Sequence, residues 1–152
     1  MRAWSDPLRW LVLPWTLLVT YPMILVSTML FGTLAVTLSL ISKHLGFHAG
    51  VYWARSLTWA SWVRVRVEGR ELARPGQSYV ILSNHQGAFD ILALYGFLGR
   101  QFRWVMKQEL RKVPFLGWGC AAIGHIFVDR GNSSRAIASL EVGTIVTGTV
   151  TK

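Results

Sequence analysis

The sequence predicts an α/β fold: a mostly parallel sheet flanked by helices, carried behind an N-terminal hydrophobic membrane-anchoring helix or helix pair. Three observations predict it. Residues 10–42 run for 33 positions without an Asp, Glu, Lys, Arg or His, more than the ~20 that a helix needs to cross a bilayer. From Val63 onward, short apolar runs alternate with helix-length segments, which is the pattern of strand–helix units. The polar, chemistry-bearing residues gather where apolar runs end, at 83–90 and at Asp129 and Arg130, as they do at strand ends in α/β sheets.

Residues 1–43 form the expected anchor. Fully helical, the uncharged stretch would be about 50 Å long, and it is well beyond the core of a signal peptide. Pro14 and Pro22 are candidate kinks and Gly32 a candidate bend. One tilted span over about 17–41 and a helix pair dipping into one leaflet both fit. Arg2 and Arg9 before the stretch and Lys43 after it are too balanced to orient it. Residues 44–62 follow as an interfacial amphipathic segment, with Tyr52, Trp53, Trp59 and Trp62 at headgroup depth and Arg55 snorkelling; an ordinary helix covering the sheet is the alternative. His44 and His48 share a helix face, but Gly46 lies between them with no carboxylate near, so no metal site is expected. Cys120, the only cysteine, excludes an intrachain disulfide and a thiolate cluster.

The α/β domain is expected over 63–140. Residues 63–69 alternate strictly and read as a half-buried strand. Pro75 and Gly76 punctuate a loop over 70–77, and 78–82 is an uncharged, buried strand. A turn follows, then a helix from Asp90 to about Leu98, closed by Gly99. Residues 101–106 read as another short strand. Residues 107–112 lead to a stretch interrupted by Pro114 and loosened by Gly117 and Gly119. Residues 125–128 form a strand that delivers Asp129 and Arg130, and a helix is expected to start at Arg135. Residues 141–152, rich in threonine, form an atypical tail.

His85 and Asp90 carry the chemistry. Five residues apart, they would not meet within one helix, since that spacing turns about 140° around the axis. With His85 in the turn and Asp90 in the first helical turn they can meet, the carboxylate fixing the imidazole tautomer and freeing the other nitrogen as a general base. The alternative is an incidental histidine, with Asp90 capping the helix. Lys107, Arg111, Lys112 and Arg130 form a second polar group, and an arginine at a strand exit suits a phosphate. In a chain of net charge +9, the basic surface around 100–112 (Arg100, Arg103, Lys107, Arg111 and Lys112 against Glu109) would draw the domain toward anionic headgroups or simply solubilise it. A nucleic-acid binder shares that charge, but no helix-turn-helix, zinc or stacking motif supports one. Together these features favour a phosphate-bearing, membrane-dissolved substrate whose hydroxyl is deprotonated.

Several blocks resemble one family. Asn84-His85-Gln86-Gly87-Ala88-Phe89-Asp90 resembles the Asn-His-x-Ser-x-x-Asp signature of the glycerolipid acyltransferases, most closely the bacterial 1-acyl-glycerol-3-phosphate acyltransferases. Lys107-Gln108-Glu109-Leu110, Pro114-Phe115-Leu116-Gly117 and Gly124-His125-Ile126-Phe127-Val128-Asp129-Arg130 continue the likeness. The resemblance implies that His85, oriented by Asp90, deprotonates the free hydroxyl of lysophosphatidic acid. That oxygen would attack an acyl thioester of coenzyme A or acyl carrier protein, without an acyl-enzyme. Arg130, helped by Lys107, would hold the phosphate, and Asn84, Glu109 and Gly124 would support the site. No cofactor beyond the acyl-CoA or acyl-ACP co-substrate is implied, and no nucleic-acid partner. The implied setting is a bacterial inner membrane, with the catalytic part on the cytoplasmic side and in contact with membrane lipids. Two positions depart from the pattern. Gly87 replaces the usual serine, and the family's third block, of the kind Phe-Pro-Glu-Gly-Thr-Arg-Ser, does not follow, Glu141-Val142-Gly143-Thr144 being only an echo of it. The C-terminal part of the family fold is therefore expected to be missing. An inactive fragment, or an enzyme acting on glycerol-3-phosphate or another lysophospholipid, remains the alternative.

Overall fold

A computed structural model describes residues 8–69, 72, 76–84, 86–129 and 131. The chain enters through α1 (Leu8–Trp15), widens into a π-helical turn over Thr16–Thr20, and continues as α2 (Tyr21–Ile41). Pro22 explains the widened turn. Proline has no N–H to donate and its ring crowds the carbonyl four residues back. The preceding bond therefore shifts by one, with the Tyr21 N–H donating to the Thr16 carbonyl in the five-residue π pattern. Val12–Ile41 is one continuous helical stretch of 30 residues, long and apolar enough to cross a membrane. Leu18, Leu25, Val26, Leu30 and Leu40 on it stay exposed, consistent with membrane association.

One residue turns the chain back. Ser42 is extended, and its hydroxyl accepts the His44 N–H at 3.2 Å, capping α3 (Lys43–Ala60). The two helices run antiparallel. Trp53 Nε1 donates to Thr28 Oγ1 at 3.1 Å far from the corner, while a Cβ added at Gly46 would come within 3.0 Å of the Ala35 carbonyl closer to it. Onto this hairpin pack α4 (Ala88–Phe97) and α5 (Leu116–Ile123). Two close crossings need glycine. A Cβ at Gly32 would lie 2.6 Å from the Phe115 carbonyl, and one at Gly50 would collide with the Tyr95 ring. Gly32, a candidate bend in the sequence, lies inside the continuous helix α2 and admits the start of α5 there.

The expected sheet is not there. Among the described residues the strands are β1 (Val105–Lys107) and β2 (Ile126–Val128), one parallel pair three residues long on each side. The molecule is predominantly helical rather than an α/β sheet flanked by helices. Residues 64–69 keep the alternation of outward and half-buried side chains, with Arg66 and Glu68 paired on one face at 3.0 Å, yet they have no ladder partner among the described residues. Residues 78–82, expected as a buried central strand, have no regular secondary structure and are exposed, Val80 at 86% and Leu82 at 90%. A strand exists only where a neighbour accepts from its N–H groups and donates to its C=O groups, and alternation encodes a face, not a partner.

The core lies among the helices instead. Ala35, Phe47, Ala49, Val51, Ala54, Tyr95 and Ile123 are buried together, with Phe102 and Trp104 packed against them. Phe47, Tyr95 and Phe102 meet edge to face at centroid distances of 5.0–5.8 Å, the arrangement favoured by ring quadrupoles.

Candidate active site

The turn before α4 is built by a carboxylate. Asp90 sits in the first turn of α4, and its Oδ2 accepts the Gln86 N–H at 2.6 Å and the Gly87 N–H at 2.9 Å. Both N–H groups are directed at one anion near a helix N-terminus, where the helix dipole also favours negative charge. Gly87 is the N-cap residue and has no side chain to complete a reciprocal box, so Asp90 supplies the clamp alone. The capping role anticipated as the plainer reading of Asp90 is thus observed. His85 and Arg130 lie outside the described residues. Asn84, just before His85 in the sequence, is exposed and outside regular secondary structure.

Gly87 itself is extended, with φ −170° and ψ 174°, and a Cβ there would meet nothing within 4 Å. Serine fits that position, and as an N-cap its hydroxyl would accept an N–H of the first turn. Gly87→Ser is expected to stabilise the fold by a few tenths of a kcal/mol, read as a small rise in the unfolding midpoint in detergent. A fall would show that the turn requires glycine for a reason other than space.

The parallel register sets the other candidates. Lys107 pairs with Val128, so the exposed lysine at the end of β1 lies beside the exit of β2 that leads to Asp129. Asp129 Oδ1 accepts the Gly131 N–H at 3.0 Å and shapes the turn there. Glu109 is exposed in the 3₁₀ turn Gln108–Lys112 that follows β1, and Arg111 from the same turn stands 5.8 Å over the Phe127 ring. Gly124 lies at the opposite end of β2. Its φ of +94° ends α5 in the left-handed conformation, its N–H donating to the Cys120 and Ala121 carbonyls, a geometry that favours glycine. The structure thus gathers Lys107 and Glu109 at one end of the strand pair and leaves Gly124 at the other.

One buried titratable group was not singled out from the sequence. His125 is 6% exposed. Its Nδ1 accepts the Trp104 N–H at 3.3 Å, and its Nε2 faces the Tyr95 hydroxyl at 3.1 Å. Nδ1 must therefore carry the lone pair and Nε2 the proton. Burial, with the nearby Arg103 guanidinium, pushes the His125 pKa down from 6.5 to about 3, so it is a neutral connector between α4 and β2. Burial also pushes the Cys120 thiol up to about 11, which keeps it protonated and unreactive. The only sequence signal for His125 is its place at the head of an apolar run. An apolar cavity of about 40 Å³, lined by residues including Thr28, Gly50, Tyr95 and Cys120, lies among α2, α3, α4 and α5. Among the described residues no group of three metal-ligating side chains occurs.

The comparisons with known proteins agree on one family. The acyltransferase family profile matches residues 64–147, more than half of the chain. An uncharacterized acyltransferase of Schizosaccharomyces pombe is 38% identical over 74 residues, 49% of this chain and 26% of the relative. The human 1-acyl-sn-glycerol-3-phosphate acyltransferase alpha is 36% identical over 76 residues, 50% of this chain and 27% of its own length. The 1-acyl-sn-glycerol-3-phosphate acyltransferase of Pseudomonas aeruginosa is 36% identical over 91 residues, 58% of this chain and 35% of its own. The chain thus matches about a quarter to a third of the length of these relatives, and fungal, animal and bacterial proteins match it at similar identity, so bacterial members are not singled out. No solved structure matches it.

Proposed function

Since this chain belongs to the acyltransferase family, we propose that it transfers an acyl group from a thioester of coenzyme A or acyl carrier protein to the free hydroxyl of 1-acyl-glycerol-3-phosphate, giving phosphatidic acid. The observation that carries this reading is the Asp90 clamp. A carboxylate held by two backbone N–H groups within five residues of His85 is rigid, and a rigid carboxylate is what an orienting partner of a general base must be.

In the proposed reaction, His85 takes the proton from the acceptor hydroxyl as the oxygen attacks the thioester carbonyl. The tetrahedral intermediate collapses with cleavage of the C–S bond, and the departing sulfur receives the proton from the imidazolium. The ester bond forms, one thioester is consumed, and the histidine ends neutral. Asp90 stabilises the imidazolium meanwhile. Arg130 and Lys107 would hold the acceptor phosphate, Lys107 from the end of β1 and Arg130 from the segment after β2. Asn84 and Glu109 would shape the surrounding turns, while Gly124 ends α5 at the far end of the strand pair. The catalytic part would lie against the membrane that α2 enters, on the side where acyl thioesters are made.

The test is acyl transfer by the detergent-solubilised chain, with 1-acyl-glycerol-3-phosphate, glycerol-3-phosphate and monoacylglycerol as competing acceptors. The phosphate-bearing monoacyl acceptor is expected to be preferred. Lys107→Gln is expected to raise its KM about tenfold, the loss of one charge-assisted contact, while KM for monoacylglycerol stays put. An equal loss toward both acceptors would remove Lys107 from the phosphate site.

A further inference from the structure

Lys43 and Arg103 lie sixty residues apart in the sequence and together in the fold. Gly124 brings them together. A Cβ placed on Gly124 would lie 3.7 Å from Arg103 Nε and 3.8 Å from Lys43 Nζ, so the two cationic groups are nearer to each other than the ~8 Å screening length of physiological salt. Like charges at that range repel, and among the described residues neither side chain has an ion pair. Arg103 is half-buried. Its Nη1 is sealed from solvent with no acceptor, and burial lowers its pKa. A buried guanidinium donor without an acceptor is unfavourable, and so is the adjacent lysine. An anion lodged between them offsets the repulsion and compensates the buried charge.

The place of the pair names the anion. Lys43 is the first residue of α3, one step past Ser42 and two past Ile41, where the 30-residue apolar helix ends. Lysine at the end of a membrane-entering helix stands at headgroup level, and the N–H groups opening α3 add their partial positive charge there. Arg103 supplies a guanidinium whose Nε faces the same gap, with Nη1 sealed behind it. The site is separate from the one assigned to Lys107. Arg103 and Gly124 lie at the entry of the two parallel strands and Lys107 at the exit, roughly 13 Å away along extended chain.

We propose that Lys43 and Arg103, joined across Gly124 at the polar end of the apolar helix, form a phosphate-binding site that takes the headgroup phosphate of an anionic membrane lipid. The site draws nothing from the proposed transfer chemistry and stands or falls apart from it. Occupied, it fastens the corner of the α2–α3 hairpin, the end of α5 and the start of β2 to the same lipid.

Calorimetric titration of the full chain in a neutral detergent tests the site, with dihexanoyl phosphatidylglycerol, coenzyme A and inorganic phosphate as separate probes. Phosphatidylglycerol is expected to bind saturably, about tenfold or more weakly in Lys43→Gln and in Arg103→Gln, and nearly unchanged in Lys43→Arg. Lys43 is exposed, so its replacement tests the site even if Arg103→Gln fails to fold. Coenzyme A binding with the same dependence on Lys43, in place of the lipid, keeps the phosphate site and reassigns its ligand to the acyl donor. Inorganic phosphate alone showing that dependence reduces the site to a general phosphate subsite. No saturable binding by any probe, or affinities that ignore Lys43→Gln, overturns the proposal.

Discussion

Replacing His85 with alanine is expected to lower the acyl-transfer rate by about 10²- to 10⁴-fold, the usual contribution of a positioned general base, while 1-acyl-glycerol-3-phosphate still binds. The acceptor hydroxyl is a poor nucleophile while it keeps its proton, and no serine or cysteine in 83–90 stands in as a covalent relay. Ser83, the one hydroxyl there, precedes Asn84 in an exposed segment without regular secondary structure. The phosphate contacts proposed for Lys107 and Arg130 lie elsewhere, so binding and chemistry should separate. The loss should fall on kcat and leave acceptor KM within a few-fold, as for an interaction made only in the transition state. Single-turnover assays with saturating acyl thioester provide the measurement. Turnover retained within a few-fold of the parent would take His85 out of the chemistry and leave the Asp90 clamp as a helix cap alone. Asp90→Asn makes the companion variant. An amide oxygen can still accept from Gln86 and Gly87, but without the charge that stabilises an imidazolium, so rate should fall more than stability.

How much of this was legible beforehand differs from element to element. The helix α4 was legible because Asp90 marks its first turn and Gly99, with φ +77°, stands just beyond its end. The strand β2 was legible because an uncharged run led to a polar exit. The sheet was not, because residues 63–69 and 78–82 carry strand-like patterns whose partners are absent from the described residues, and a pattern cannot say whether a partner exists. Residues 116–123 were read as loosened by Gly117 and Gly119, yet they form α5, since helix crossing rewards the missing side chains more than propensity penalises them. A Cβ at Gly117 would strike the Leu110 and Arg111 carbonyls, while one at Gly119 would reach ordinary contact with Gly32 and Ala35 at 3.4 Å. Of the candidate site, Asp90, Lys107, Asn84, Glu109 and Gly124 have places in the structure, while His85, Arg130 and the helix expected from Arg135 lie outside the described residues. No local spacing could have joined Lys43 to Arg103 or His125 to Tyr95, because those contacts are made by packing between distant elements.

Acid is expected to unfold this protein through His125 before most other groups respond. In the unfolded chain an imidazole titrates near 6.5, whereas in the fold burial and Arg103 hold the value near 3. Between those limits the unfolded state binds a proton that the folded state refuses. Stability is therefore complete above pH 6.5 and falls as pH drops toward 3, by about 1.4 kcal/mol per unit where the difference is fully developed. The geometry states the same result. A second proton would go on Nδ1, which already faces the Trp104 N–H, setting two donors against each other in a buried site. Chemical unfolding of the detergent-solubilised chain at pH 7, 6, 5 and 4 measures the slope. His125→Gln keeps an acceptor and a donor but cannot titrate, so it should be less stable at pH 7 and nearly level below it. Parallel pH profiles for parent and variant would mean that another group carries the acid sensitivity and that His125 is not the neutral link between α4 and β2.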